Sequence, residues 1–387
     1  MENAPKFEGL IEYHIETHSD NWFKFRTTGF DGYGGGIGAS ETAKICGHDD
    51  YSPSIGEVYH HKVGTYFPEP FDNERMLHGR ISEQQIIDFT ALFDGTKESY
   101  IKNYEKYIAM DRPQSMRVRE IHRVRSYIVN PKYPWLFISL DGAIDKNSFR
   151  IRDGIMLDNY APLEIKTIGE QQAKQYEAGF PSKYVYQINQ QMLVLGVDYG
   201  EIAVLKDGKY YDLHPFERNE DICQEILEKT HHFWHGRVLK GREYFEAYKE
   251  ALRIGNKQLA DRAMASIDKY EPYPDGTDAS FQWKKRRVQE AIENGETEKV
   301  LGDVVDYINC RYYDGCKELE KLIKAEQNKV KSLILESMRF NKTKYLNFDK
   351  DGRATISSDG KLLIKITHDS SVTAREVIKK LDLRVFE

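Results

Sequence analysis

Apolar positions along the chain change period several times, and each change marks an element. After the glycine-rich stretch Gly32 to Gly38, Ala39-Ser-Glu-Thr-Ala-Lys-Ile-Cys46 reads as a short helix that Gly47 stops. A Ser-Pro-Ser signal opens a second helix, Ser54 to Lys62, which ends at Gly64. A longer helix is predicted over Asn73 to Phe93, with Met76, Ile86, Phe89 and Phe93 among its apolar positions. The pattern then becomes that of strands. Ile121 to Val129 and Trp135 to Leu140 are rich in β-branched and aromatic residues and are parted by the turn pair Asn130-Pro131. Ala161 to Ile168 is another strand, followed by a helix over Lys183 to Leu195 that Gly196 ends. Gly200 to Leu205 and Lys209 to Leu213 flank Asp207-Gly208, a strong hairpin signature. Asn219 to Leu239 reads as a closing helix.

Helices, a run of strands, a helix, a hairpin and a helix predict an α/β fold, a mixed central sheet with helices on both sides. Beyond about Glu243 the character changes. Glu250 to Met264 and Asp278 to Asn294 read as amphipathic helices separated by Tyr270 to Gly276, and Lys317 to Met338 is a long, highly charged helical pattern. Lys344 to Ile366 reads as strands broken by Asp351-Gly352 and Asp359-Gly360. The expected organisation is a main domain over 1–243 and a helical and β appendage over 244–387.

Composition narrows the class without deciding it. The 387 residues are 40% hydrophobic and 30% charged, as in a soluble globular protein, and no apolar run is long enough to span a bilayer. Met1 to Tyr13 does not read as a secretory signal, and the four scattered cysteines suit a reducing cytoplasm. Cys310 and Cys316 lack the second pair a zinc knuckle needs, and nothing resembles the grouped cysteines of an iron–sulfur cluster. The net charge of -6 argues against a protein that simply coats nucleic acid, and leaves room only for a local basic surface.

The chemistry concentrates in Asp141 and Glu164-Ile-Lys166. On a strand, residues i and i+2 share a face, so Glu164 and Lys166 project together, while Ile165 turns to the core and keeps its carbonyl at the strand edge. Two carboxylates can hold a hard divalent cation through oxygen. Such a cation polarises a phosphate and acidifies a bound water, and a lysine beside it can position that water or offset charge developing on phosphorus. A triplet this short also occurs on solvated hairpins, so its weight comes from its surroundings.

Those surroundings resemble a known family. Phe137-Ile-Ser-Leu-Asp-Gly142 followed by Leu163-Glu-Ile-Lys166 resembles the PD-(D/E)xK nuclease core in its lambda exonuclease and YqaJ version. Ile37 to Gly47 resembles the family's Gly-and-Ser signature, Leu77-His-Gly-Arg-Ile-Ser-Glu83 its Gly-x-x-x-Glu helix, Tyr184 to Met192 its glutamine helix, and Trp22-Phe-Lys-Phe-Arg26 its Trp-x-x-x-Arg element. The five motifs stand in family order across about residues 22 to 215. Three departures are visible: Leu140 stands where a proline is usual, Thr167-Ile168 where Cys-Pro is frequent, and the stretch between Arg26 and Ser40 is longer than in the short phage enzymes.

The resemblance implies a restriction-endonuclease-like core and hydrolysis of linear double-stranded DNA from a 5′ end, leaving a 3′ strand for a single-strand annealing protein. It implies Mg²⁺, with Mn²⁺ as a substitute, held by Glu83, Asp141, Glu164 and the Ile165 carbonyl, with Lys166 and Gln187 managing the water. It further implies that Ser40 and Arg26 contact DNA phosphate, that the chain forms a ring-shaped trimer, and that its origin is a phage acting in a bacterial cytoplasm.

Blander readings stand beside these. Ser40 sits where helix caps usually do. Gln187 could be an interior polar residue, and Glu83 an exposed helix position. Of the run Arg117, Arg119, Arg123 and Arg125, the last two are the candidate phosphate contacts, although charge runs are usually solvated faces, and Lys284-Lys-Arg-Arg287 has the same two readings. His231, His232 and His235 read as packing and surface. The rival functions are an endonuclease on the same core and a catalytically idle DNA-binding scaffold.

Overall fold

In the computed structural model the described residues are 5–16, 19–29, 35–51, 53–67, 74–124, 126–169, 172–173, 180–293, 313, 315–326, 347–348 and 354–355. Two compact units emerge, Met1–Glu296 and Thr297–Glu387. In the first, the described elements run β1 (Ile11–Tyr13), α1 (Asp20–Arg26), β2 (Ile37–Gly38), α2 (Ala39–Cys46), α3 (Ile55–Val63), α4 (Glu74–Leu92), α5 (Lys97–Ala109), β3 (Ile121–His122), β4 (Tyr127–Val129), β5 (Leu136–Ser139), β6 (Gly142–Ile144) and β7 (Ala161–Ile168). They continue with α6 (Ser182–Leu195), β8 (Tyr199–Lys206), β9 (Tyr210–Glu217), α7 (Glu220–Phe233), α8 (Leu239–Arg253), α9 (Lys257–Tyr270) and α10 (Asp278–Glu293). The expected boundary at 243 falls inside this unit. In the second unit, residues 315–326 are helical and Asn347–Phe348 pairs antiparallel with Ala354–Thr355. The rest of the 317–338 helix and both expected Asp-Gly turns lie outside the described residues.

The α/β class holds, with one difference: the strands form two sheets rather than one. A four-stranded sheet has the order β1-β4-β5-β2, and a five-stranded mixed sheet the order β3-β6-β7-β8-β9. The expected strand Ile121–Val129 is therefore two strands, β3 in one sheet and β4 in the other, and the residues between them cross from sheet to sheet. The same switch occurs between β5 and β6, across Leu140 and Asp141.

Period-two burial explains the layering of the five-stranded sheet. Leu163 and Ile165 of β7, with Ala203 and Leu205 of β8, pack on Ile86, Ala91 and Leu92 of α4. Ile168, Ile202 and Val204 face the other way, onto Ile188 and Met192 of α6. Glu164 and Lys166 share the parity of Ile168, so the alternation that fills the core also delivers both polar side chains to the α6 side. The hairpin signature is realised: Asp207 and Gly208 both take positive φ, at 51° and 66°, between β8 and β9. The glycines before α2 are needed for close approach. A Cβ on Gly36 would lie 2.6 Å from the Trp135 carbonyl oxygen, and one on Gly38 would lie 2.9 Å from the Phe137 ring.

Three helical expectations change. Lys97–Ala109 is an additional helix. The 219–239 helix does not close: a π-helical turn over Trp234–Val238 carries it into α8. The helix expected over Glu250 to Met264 is broken by Gly255, at φ 71°, and by Asn256, whose side chain accepts the Leu259 N–H and caps α9.

Candidate active site

Asp141 sits at the sheet switch, next to Gly142, whose register partner is Leu163 on β7. That pairing sets its carboxylate beside Glu164. Asp141 Oδ2 accepts the Ile165 N–H at 2.8 Å. A strand residue turns its N–H and C=O toward the same neighbour, so the Ile165 carbonyl faces the Asp141 side as well. Burial, and then the Glu164 charge, push Asp141 well above the usual carboxylate range, with Lys166 and the Ile165 N–H pulling the other way.

Glu164, 3% exposed, is gripped at both oxygens. Its Oε1 accepts from Lys166 Nζ at 2.5 Å and from Gln187 Nε2 at 2.6 Å, and its Oε2 accepts from Gln191 Nε2 at 2.6 Å. Gln187 and Gln191 are one helical turn apart on α6, so one face of that helix serves one carboxylate. Burial disfavours the Lys166 ammonium, but Glu164 and Asp141 outweigh it and hold its pKa above the ordinary value. Its Nζ also lies 4.9 Å from the Tyr184 ring.

Asp141, Glu164 and Gln187 form the floor of a cleft of about 880 Å³, lined also by Arg26, Ser40, Glu83 and Arg123. Glu83 reaches it from α4, where its Oε2 accepts from Arg123 Nη2 at 2.7 Å. Position 79, one turn earlier, faces β7: a Cβ there would come 3.4 Å from Thr167 Oγ1, ordinary van der Waals contact. Arg26, at the end of α1, stacks 5.0 Å from the Trp22 ring and donates to Ser40 Oγ at 3.3 Å. Ser40 does not cap α2; the cap is Gly38, whose N–H donates to Glu41 Oε2 at 2.8 Å, and the exposed Ser40 hydroxyl stays at the cleft rim. Arg125 lies outside the described residues.

Arg119, in the arginine run before β4 and β5, is fully buried in a two-pronged pair with Glu201, at 2.7 and 3.0 Å, and faces no solvent. The histidines at the end of α7 and in the π-helical turn behave as surface packing, with His231 and His235 stacked at 4.1 Å beside Trp135. Sequence reasoning missed three contributors. Gln191 was hidden among consecutive polar residues, although its i+4 spacing from Gln187 was a usable signal. Arg80 lines the cleft three residues before Glu83, again one turn away. Lys62, fully buried, pairs with Glu41 Oε2 at 2.8 Å and donates to the Arg26 carbonyl oxygen, bracing the rim from behind.

The donor set suits a hard cation. Asp141 and Glu164 bring two carboxylates into one buried spot against a single lysine, and every available ligand atom is oxygen, the preference of Mg²⁺ or Mn²⁺. A strongly raised acid beside a second acid is the signature of a negative site that lacks a compensating charge.

A mixed α/β core with an acidic, lysine-bearing centre under an arginine- and serine-rimmed cleft defines the class. Residues 21–198 match the family model of the YqaJ-like viral recombinase domain. Among solved structures, an alkaline exonuclease from Laribacter hongkongensis is similar at 15% identity and a TM-score of 0.41, covering 61% of this chain and 100% of its own. The same enzyme in complex with dAMP gives 0.40. A phage related exonuclease from Haemophilus somnus 129PT is similar at 11% identity and 0.30, covering 50% of this chain and 90% of its own. No curated protein matches the chain.

Proposed function

We propose that the chain is a metal-dependent deoxyribonuclease that hydrolyses linear double-stranded DNA from its end. The observation that carries this reading is the buried Asp141–Glu164–Lys166 centre at the floor of a cleft whose rim bears Arg26 and Ser40. A module that only bound DNA would gain nothing from placing acids where phosphate must lie.

Asp141, Glu164, the Ile165 carbonyl and Glu83 would hold the ion. When bound, it supplies charge to polarise the scissile phosphate and to acidify a water. Lys166, already 2.5 Å from Glu164 Oε1, orients that water and offsets charge developing on phosphorus. Gln187 fixes the Glu164 oxygen that Lys166 shares, so carboxylate and ammonium keep one relative geometry. Arg26, Ser40 and the first turn of α2, with Gly38 and Ala39 also on the cleft, form a phosphate cradle. Arg123 bridges to Glu83 and can trade that partner for a DNA phosphate once Glu83 turns to an ion.

The finer parts of the proposal rest on the sequence resemblance. They are 5′ to 3′ polarity, Mg²⁺ with Mn²⁺ as substitute, a homotrimer enclosing the duplex, and delivery of the 3′ strand to a single-strand annealing protein. The deciding assay incubates the protein and Mg²⁺ with linear duplex labelled separately at each end, alongside closed circular DNA and a Lys166→Ala control. Release of 5′ label from linear DNA alone, absent in the variant, is the expected result. Cutting of the closed circle would make the protein an endonuclease, and cleavage of nothing would leave a binding role.

A further inference from the structure

A second cluster of ligand-type side chains lies outside residues 21–198 in part, and the proposed hydrolysis does not use it. His60 of α3 is fully buried. Its Nδ1 lies 2.6 Å from Thr65 Oγ1, and that hydroxyl in turn lies 3.4 Å from the His60 carbonyl oxygen to which it donates. Thr65 thus engages Nδ1, which leaves Nε2 as the ring nitrogen available to a ligand. Nε2 has no hydrogen-bond partner. It points instead at two carboxylates from the end of α9, with Asp268 Oδ1 at 3.9 Å and Glu271 Oε2 at 3.6 Å.

Those separations are too long for hydrogen bonds. They approach the edge of a coordination tetrahedron, about 3.3 Å when each ligand is about 2.0–2.1 Å from a zinc ion. All three ligand atoms lie within 4.8 Å of one another. The surroundings are built for a fixed carboxylate. Gly56 leaves room for Glu271, since a Cβ there would sit 2.3 Å from Oε1, and Trp283 Nε1 donates to that same oxygen at 2.9 Å. Trp283 Nε1 and Lys284 Nζ, donating at 2.9 and 2.5 Å, hold both Glu271 oxygens in place. Asp268 is half exposed and gives an ion and a water a way in.

We propose that His60, Asp268 and Glu271 form a structural site for a transition-metal dication of the Zn²⁺ class, tying α3 to the helices that follow residue 243. One imidazole nitrogen with two carboxylates favours zinc over magnesium, in contrast to the all-oxygen set around Asp141. Lys284 now donates to Glu271 Oε2 at 2.5 Å, and Arg287 lies 3.5 Å from Asp268. Both cations occupy the positions an ion would contest, and Lys284 is exposed enough to swing into solvent on binding. The staple would stiffen the wall behind the cleft, because Lys62, two residues from His60, carries the Arg26 carbonyl contact.

The test uses the full chain stripped with a chelator, in an Asp141→Asn, Glu164→Gln background that removes the other acidic centre. Titration with Zn²⁺ is followed by calorimetry, and with Co²⁺ by visible absorption. The expected result is one equivalent bound, with a tetrahedral cobalt spectrum, a raised Tm, and at least a tenfold loss of affinity in both His60→Gln and Asp268→Asn. Asp268 is exposed enough that its substitution leaves the fold intact. No binding in the background protein, or affinity unchanged in Asp268→Asn, would overturn the proposal and leave His60 as part of an ion-pair cluster.

Discussion

Two buried carboxylates on adjacent strands have opposite fates. Glu201 of β8 and Glu164 of β7 are both almost wholly removed from water, yet Glu201 meets a guanidinium with two matched bonds and also accepts the Tyr199 hydroxyl at 2.5 Å. Its charge is neutralised and nothing of it reaches a cleft. Glu164 shares its pocket with a second acid and one lysine, and the pocket opens outward. Burial alone therefore does not mark a functional acid. The distinction lies in whether the protein supplies its own counter-charge or leaves that to something that binds.

The largest effect should come from the unbalanced side of that comparison. Lys166→Ala, or Glu164→Gln, should lower the rate of end-label release from linear duplex by a factor on the order of 10³ or more, because each removes a group proposed to serve the reacting phosphate directly or through the ion. Neither should unfold the chain, which circular dichroism checks. Loss of less than tenfold would mean that Glu164 is a structural acid like Glu201.

On the balanced side the effect is on stability. Arg119→Ala strands a buried glutamate and should cost about 3–5 kcal/mol in denaturant unfolding. Activity per folded molecule should be unchanged, since Arg119 touches neither the cleft nor its floor. A variant as stable as the parent would mean that Glu201 finds a second partner or water, and the contrast with Glu164 would weaken.

Gln191 tests how sharply the two acids differ. It holds Glu164 Oε2, and its own Oε1 is buried without a partner. A carboxylate held in place for ligation depends on such second contacts, so Gln191→Leu should weaken Mg²⁺ dependence by about 10–100-fold, read as the metal concentration giving half-maximal cleavage. A variant that loses maximal rate but keeps that metal midpoint would place Gln191 in packing instead.

Much of this contrast could be read from the sequence, and the parts that could not share a cause. The Glu164/Lys166 pair was legible because it is local: strand periodicity puts i and i+2 on one face whatever else happens. The Asp207-Gly208 hairpin and the Gly47, Gly64 and Gly196 stops were legible for the same reason, each being set by backbone conformation at one or two residues. Ile121 to Val129 looked like one strand because the chemistry of its residues suits a strand throughout. Only the long-range demand of two sheets divides it. The burial of Arg119 depends on Glu201, far along the chain, so a run of arginines looked like a surface. Helix Lys97–Ala109 was missed because its buried positions are tyrosines, Tyr100 and Tyr107, whose polar tips blur the apolar stripe.

The smallest effect is the most specific, because it measures the missing counter-charge itself. Asp141 has a folded-state pKa raised by burial and by Glu164. Between its unfolded value of about 3.9 and that raised value, the folded chain holds the proton and the unfolded chain has lost it. The folded state binds more protons there, so metal-free stability falls as pH rises through that window. Asp141→Asn cannot titrate and lacks this slope. In chelator, the parent should therefore be as stable as the variant near pH 4 and progressively less stable as pH increases, by urea midpoints taken at each pH. Saturating Mg²⁺ at neutral pH should reverse the order, since the ion favours the ionised Asp141 and gains less from an amide. Glu201→Gln offers the matching control: its loss should destabilise at every pH where Glu201 is charged, with or without Mg²⁺. If Asp141→Asn behaves like Glu201→Gln, destabilising in chelator and indifferent to Mg²⁺, then Asp141 is already balanced by the protein and the metal centre is not where it is proposed to be.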